Sequence, residues 1–138
     1  MVEAKKESFV QFLKFSLVGI TNTLVDWVVF YFLVSTFLGD QHSTAKAISF
    51  IVAVLNSFLW NTIWTFKNEY KNSDAKSAVF IKFVIISLVG WGVNLYVFNF
   101  SSVAMTFQVF NRDLLPLVFA STAAIIVNFF GNKLWAYK

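Results

Sequence analysis

The stretch Phe15-Ser16-Leu17-Val18-Gly19-Ile20-Thr21-Asn22-Thr23-Leu24-Val25-Asp26-Trp27-Val28-Val29-Phe30-Tyr31-Phe32-Leu33-Val34-Ser35-Thr36-Phe37-Leu38 carries one charged side chain, Asp26. Wound as an α-helix at 1.5 Å per residue it is about 36 Å long, enough to cross about 30 Å of hydrocarbon. It is far too long for a barrel strand of about ten residues, and it lacks sustained polar–apolar alternation. It reads as a membrane-spanning helix. Three later runs qualify on the same grounds, so spans are expected at about 9–38, 47–66, 79–103 and 114–137. The fold class is all-α integral membrane, four transmembrane helices in a single domain over 1–138.

The composition agrees. Of 138 residues, 58% are hydrophobic, 20% aromatic and 13% charged, against roughly 45–50% apolar and about 25% charged in soluble domains. A chain this small cannot hide so much apolar surface from water, which excludes a water-soluble enzyme, and the same composition excludes disorder. With no cysteine and a single histidine, His42, disulfides, thiolate metal sites and a histidine cluster are unavailable. Gly90-Trp91-Gly92 has no phosphate-loop context, so no nucleotide and no other cofactor is expected. No acid–base pair or activated nucleophile stands out, so the chain is not expected to be an enzyme. Two lysines precede the first apolar run as in a secretory signal, but the run is too long and lacks a clear cleavage site, so it is kept as a mature span.

The connections carry matching punctuation. Gly39-Asp40-Gln41-His42-Ser43 breaks the first hairpin, with Ser43 or Thr44 as the expected cap of the second helix. Asn111-Arg112-Asp113 does likewise before the fourth, and Pro116 falls in that helix's first turn, where a missing donor costs nothing. The apolar stretch Val103–Phe110 either extends the third helix or lies in the interface. Lys5, Lys6, Lys14, Lys67, Lys71, Lys76, Lys82, Lys133 and Lys138 fall on one side, and only Lys46 and Arg112 on the other. By the positive-inside rule both termini and the loop from Lys67 to Ser77 face the cytoplasm. The net charge of +4 is thus a topology signal, and no nucleic-acid partner is expected.

Ser16-Leu17-Val18-Gly19 recurs as Ser87-Leu88-Val89-Gly90, and Phe58, Asn61, Trp64 and Lys67 recur as Phe129, Asn132, Trp135 and Lys138, all at one offset of 71 positions. Lys14-Phe15 is echoed by Lys82-Phe83, and Asn22 by Asn94, after small shifts. The chain reads as two helix hairpins of one orientation, a parallel repeat whose pseudo-twofold runs along the membrane normal.

Polar residues within hydrocarbon are functional candidates by default. Asp26 lies one turn beyond Asn22 on the same face, with Gly19 one turn before. Two readings stand open for Asp26, a proton-sensitive or lysine-pairing group on a headgroup path, and an interhelical bond that locks packing. Asn56 and Asn61, five apart and so about 140° around the helix, point different ways, whereas Asn128 and Asn132 share a face. For Asn56 and Asn128 helix-to-helix bonding is favoured. Asn61 and Asn132, each repeated beside an aromatic and a lysine, read as binding groups. Lys14, Lys82 and Lys133 singly mark topology by snorkelling; together they suit one anion, and phosphate is the match for a point charge. Trp60, Trp64 and Trp135 fit an interfacial belt, with stacking on a sugar as the alternative. Gly19, Gly90 and Gly92 with Ser16 and Ser87 are expected to permit close helix approach.

The Lys14-Phe15…Val18-Gly19…Asn22 opening, the Asn61-Thr62-Ile63-Trp64-Thr65-Phe66 exit and their second copies, Lys82-Phe83 and Asn132-Lys133-Leu134-Trp135-Ala136-Tyr137, resemble the GtrA-like family over nearly the whole chain. That family often has Arg where Lys14 and Lys82 stand, which keeps the charge and loses the bidentate fork. The resemblance implies a small flippase for an undecaprenyl-phosphate-linked monosaccharide in the bacterial cytoplasmic membrane, serving glycosylation of teichoic acid or another surface polysaccharide. Its partners would be the lipid-linked sugar, the bilayer, membrane glycosyltransferases and, given the small enclosed volume, further copies of itself. On that reading Lys14, Lys82 and Lys133 hold the lipid phosphate and Asn61 and Asn132 bond phosphate or sugar. Asn22 and Asp26 lie further along the path; Asn56, Trp64, Asn94, Asn128 and Trp135 complete the candidate set. With no transferase domain in view, it looks like the stand-alone translocation component. Two alternatives are a non-transporting subunit that recruits a glycosyltransferase and a small-cation exporter, the latter opposed by having only Asp26 buried amid lysines.

Overall fold

The computed structural model describes residues 2–104 and 114–138, with side chains from Lys6 onward apart from Ser102 and Leu114. Among these residues five helices follow in order: α1 Val2–Leu33, α2 His42–Trp60, α3 Lys67–Lys71, α4 Lys76–Ala104 and α5 Leu114–Gly131. Three short π-helical turns, Val34–Leu38, Asn61–Thr65 and Asn132–Ala136, extend α1, α2 and α5. Among the described residues there is no strand. Among the described residues, four helices are long and apolar enough to cross a membrane, over Lys6–Leu38, His42–Thr65, Lys76–Ser101 and Leu115–Ala136. At most 22% of any span's apolar window is buried, so the outward surface is built of Trp27, Tyr31, Leu88, Tyr96 and similar side chains. Such a surface belongs against lipid.

The chain divides into two compact units, Met1–Asn72 and Ser73–Lys138. Each is a helix hairpin. In the first, α1 packs along α2; in the second, α4 packs along α5. The first is closed by Gly39, whose φ of +43° is a conformation that glycine adopts without a Cβ clash. Backbone bonds from Gln41 N–H to the Leu38 carbonyl (2.7 Å) and from Ala45 N–H to the Gln41 carbonyl (3.0 Å) start α2 directly from this turn.

That tight turn corrects the expected boundary. α2 begins at His42, about five residues before the predicted start, and Gln41 occupies the cap position with no side-chain capping bond. Ser43 and Thr44, the expected caps, lie inside the helix. α4 begins at Lys76 and includes Val103 and Ala104, so the start of the ambiguous apolar stretch extends the third helix. Residues 105–110 and the predicted Asn111-Arg112-Asp113 cap lie outside the described residues. Pro116 sits in the first turn of α5, buried, as its missing N–H allows.

The expectation that small residues mark close approach holds at Gly90 alone of the three. A Cβ there would lie 2.0 Å from Asn128 Nδ2, whereas at Gly19 and Gly92 it would meet nothing within 4 Å. Gly131, not singled out in the sequence, is tight, its Cβ position 3.0 Å from Ile86 Cγ2. Ser16 and Ser87 instead bond back to the Phe12 and Phe83 carbonyls of their own helices, each at 2.9 Å.

Candidate functional site

The same local construction stands at the exit of each hairpin, and asparagine starts it. Asn61 Nδ2 donates to the Ser57 carbonyl four residues back (2.9 Å), and Asn132 Nδ2 to the Asn128 carbonyl (2.8 Å). A side-chain donor on the i−4 carbonyl competes with the regular backbone ladder, so each helix opens into a π-turn at that residue. The turn ends when the amide of Phe66 bonds the Asn61 carbonyl (2.7 Å), or that of Tyr137 the Asn132 carbonyl (2.9 Å). Both aromatics are buried and meet the phenylalanine that follows a candidate lysine. Phe66 lies 6.2 Å from Phe15, and Tyr137 lies 6.4 Å from Phe83, ring to ring.

This anchoring brings each lysine beneath a tryptophan. The Lys14 ammonium stands 5.5 Å from the Trp64 ring centre, and that of Lys82 stands 5.7 Å from Trp135 while donating to the Trp135 carbonyl at 3.2 Å. The ring face attracts the cation, so the charge is held at the mouth of each hairpin. Lys133 lies over Phe129, at 5.6 Å, on its own helix. Trp64 and Trp135 are about half exposed.

In the first hairpin the polar residues form a ladder along the seam. Gln11 Nε2 donates to Glu69 Oε1 at 2.5 Å, and Asn56 Nδ2 to Asn22 Oδ1 at 3.3 Å. Asp26 accepts from Ser49 Oγ at 2.7 Å and pairs with Lys46. The stripe read on α1 therefore faces α2, and Asp26 and Asn22 find partners within their own hairpin. Lys46, read in the sequence only as a topology mark, is Asp26's partner. In the second hairpin Asn128 packs against Gly90, and Asn94 is half-buried on α4. Four buried polar atoms have no hydrogen-bond partner among the described residues: Asn61 Oδ1, Thr65 Oγ1, Asn128 Oδ1 and Asn132 Oδ1. Buried acceptors of this kind are costly unless used. Lys14 belongs to one unit, Lys82 and Lys133 to the other.

Among the described residues, cavities open on the first hairpin. One, of about 540 Å³, is lined by Lys6, Gln11, Lys14, Trp64, Thr65, Lys67 and Glu69 among others. The second, of about 580 Å³, is a mainly apolar groove along Leu17, Val18, Thr21, Val25, Asn56 and Trp60, and Trp64 borders both. Gln11, Thr65 and Glu69 were missed by the sequence reading. Thr65 lies four residues beyond Asn61, so the π-turn itself was the signal that leads to it.

Residues 14–137 match the family model described as the GtrA/DPMS transmembrane domain. The chain is 28% identical over 127 residues to the uncharacterized membrane protein YngA of Bacillus subtilis, covering 90% of this chain and 77% of that protein. It is 33% identical over 85 residues to the dolichol-phosphate mannosyltransferase of Pyrococcus furiosus, which spans 62% of this chain and 23% of the enzyme. No solved structure matches the chain.

Proposed function

The chain belongs to the GtrA/DPMS transmembrane-domain family, and from that membership we propose that it is a flippase for an undecaprenyl-phosphate-linked monosaccharide. Family membership ties it to polyprenyl-phosphate-sugar-related membrane function, and four apolar helices make it a multi-pass membrane protein. The finer reading is a carrier in the bacterial cytoplasmic membrane, both termini cytoplasmic, that supplies glycosylation of teichoic acid or another surface polysaccharide. The two hairpins are taken as a parallel repeat.

The observation that carries this reading is the lysine held over a tryptophan at the mouth of each hairpin, Lys14 with Trp64 and Lys82 with Trp135. Such a cation attracts a lipid phosphate at the interface, where an unpaired charge is tolerated. Lys133 adds a third. Asn61 and Asn132, each with a buried carbonyl oxygen to offer, accept from the sugar hydroxyls. Asn22, Asp26, Asn56, Asn94 and Asn128 stand deeper along the path, the first three already paired within their hairpin. The prenyl tail stays in lipid while the head crosses, and consumption of the sugar outside sets the direction.

The test is reconstitution into liposomes carrying a polyprenyl-phosphate sugar, probed with a membrane-impermeant reagent. Protein-dependent redistribution, reduced in Lys14→Ala and Lys82→Ala, is expected; redistribution equal to that of empty vesicles overturns the proposal. A second reading is favoured by the match to a segment of a mannosyltransferase: a non-transporting subunit that steadies a membrane glycosyltransferase. It predicts that pathway activity survives loss of the lysines and buried asparagines.

A further inference from the structure

Resting on that reading, we infer that the 540 Å³ cavity of the first hairpin reads the sugar of the lipid-linked substrate, with Gln11 and Glu69 as its specificity-determining residues. The ligand class is a sugar joined to a lipid by a phosphodiester, as against the bare lipid phosphate.

The lining sets the charge. Lys6, Lys14 and Lys67 face the cavity together with Glu7 and Glu69, leaving one positive charge in excess. A phosphodiester carries a single negative charge and matches it. A bare phosphate monoester approaches two charges near neutral pH, its second pKa being about 6, and the two carboxylates oppose the second charge. The lining also holds chemistry that a phosphate alone has no use for. A carboxylate has about four lone-pair sites, and Gln11 occupies one of them on Glu69. The others accept hydrogen bonds from hydroxyl groups, which phosphate lacks and a sugar presents in adjacent pairs.

Burial points the same way. Gln11 is 7% exposed and Thr65 4% exposed, and the Thr65 hydroxyl has no partner among the described residues. A buried polar group without a partner is costly, and a ligand hydroxyl at this wall offsets that cost. The volume falls in the usual range of small-molecule sites, about 300–1,000 Å³. Trp64 carries the cavity's wall on into the apolar groove along α1 and α2, so a polar head seated here has an apolar surface beside it for its tail. The second hairpin has Val79 three residues before Lys82 and Ala136 four residues after Asn132, both buried. These are the places of Gln11 and Thr65, so sugar reading is assigned to the first hairpin.

The experiment measures dissociation constants of the full chain in nanodiscs by tryptophan fluorescence. The probes are polyprenyl phosphoglucose, phosphomannose, phosphogalactose and phospho-N-acetylglucosamine, bare polyprenyl phosphate, and soluble glucose 1-phosphate. The wild type is expected to bind at least one sugar lipid about tenfold or more tighter than bare polyprenyl phosphate. Glu69→Gln and Gln11→Leu reduce that ratio about tenfold, while bare phosphate binds Glu69→Gln as well as or better than wild type. Thr65→Val, nearly isosteric, lowers the ratio less and guards against misfolding of the other two. Glucose 1-phosphate, a monoester that carries the second charge, is expected to bind weakly, and tight binding of it overturns the match to a lipid phosphodiester. A ratio unchanged in all three variants overturns the inference even where vesicles show sugar-lipid translocation. Loss of translocation in the wild type overturns the flippase reading, and the binding ratio then decides the cavity's role separately.

Discussion

The mouths of the two hairpins share one construction and differ in what it is used to build. Each has an asparagine bonded to its i−4 carbonyl, a π-turn closed by a buried aromatic, and a lysine under a tryptophan. In the first, the turn folds back so that α3 brings Glu69 to Gln11, and a charged cavity forms. In the second, Lys82 bonds the Trp135 carbonyl, and Val79 and Ala136 are buried near it. The lesson is that both mouths hold a cation over a tryptophan for the phosphate, while the polar lining suited to a sugar is built at the first.

If that division is right, the two lysines are unequal. Lys14→Ala is expected to slow translocation by about 10- to 100-fold, the equivalent of a charge-assisted hydrogen bond of about 1.5–3 kcal/mol. Lys82→Ala is expected to slow it only a few fold, since its ammonium already serves the Trp135 carbonyl. Initial rates in the reconstituted assay separate the two. Equal losses break the comparison and make the two mouths equivalent phosphate sites.

The same asymmetry appears within the spans. Gly19 and Gly90 end the same Ser-Leu-Val-Gly motif, yet only Gly90 has a neighbour in the way. Gly90→Ala is expected to cost about 1–3 kcal/mol through overpacking, read as a lower unfolding midpoint in detergent. Adding Asn128→Ala restores most of it, because the clash is with that carboxamide. Gly19→Ala is expected to be neutral or slightly stabilising, about 0.5–1 kcal/mol, from helix propensity.

Much of this was legible and some was not, for reasons that can be named. The spans follow from hydrophobic length, which needs no tertiary information. The repeated Asn-x-x-Trp motif identified both exits, and Asn22 and Asp26 were placed on one face by periodicity alone. The partners were harder. Lys46 pairs with Asp26 from the first turns of α2, which starts at His42, two or three residues earlier than capping by Ser43 or Thr44 suggested. Gln11 precedes the apolar run and Glu69 lies in a charged connection, places where polar residues carry no signal. Only the backward fold at Phe66 unites them.

The exit turns offer a finer test. Asn61→Ala and Asn132→Ala each remove one bond to an i−4 carbonyl, worth about 0.5–1.5 kcal/mol. Both are expected to let the helix run on as ordinary α-helix, shifting the amide exchange of Phe66 and Tyr137 together. A change at one aromatic alone shows that the two turns have separate causes, whatever their sequences share.

The smallest effect is expected at the far end of the first hairpin. Asp26→Asn removes an ion pair whose lysine side chain is 57% exposed while the carboxylate side is 17% exposed. Polar contacts between membrane helices average about 0.6 kcal/mol and reach about 2, and asparagine keeps an acceptor for both Ser49 Oγ and Lys46. Stability is therefore expected to fall by no more than about 1 kcal/mol, with translocation near the wild-type rate if Asp26 only ties α1 to α2. A lost rate at unchanged stability shows instead that the carboxylate meets the passing head or a proton. Lys46→Met separates the possibilities further: a pure tie loses the same small amount from either side, whereas a transport carboxylate tolerates loss of Lys46 far better than its own.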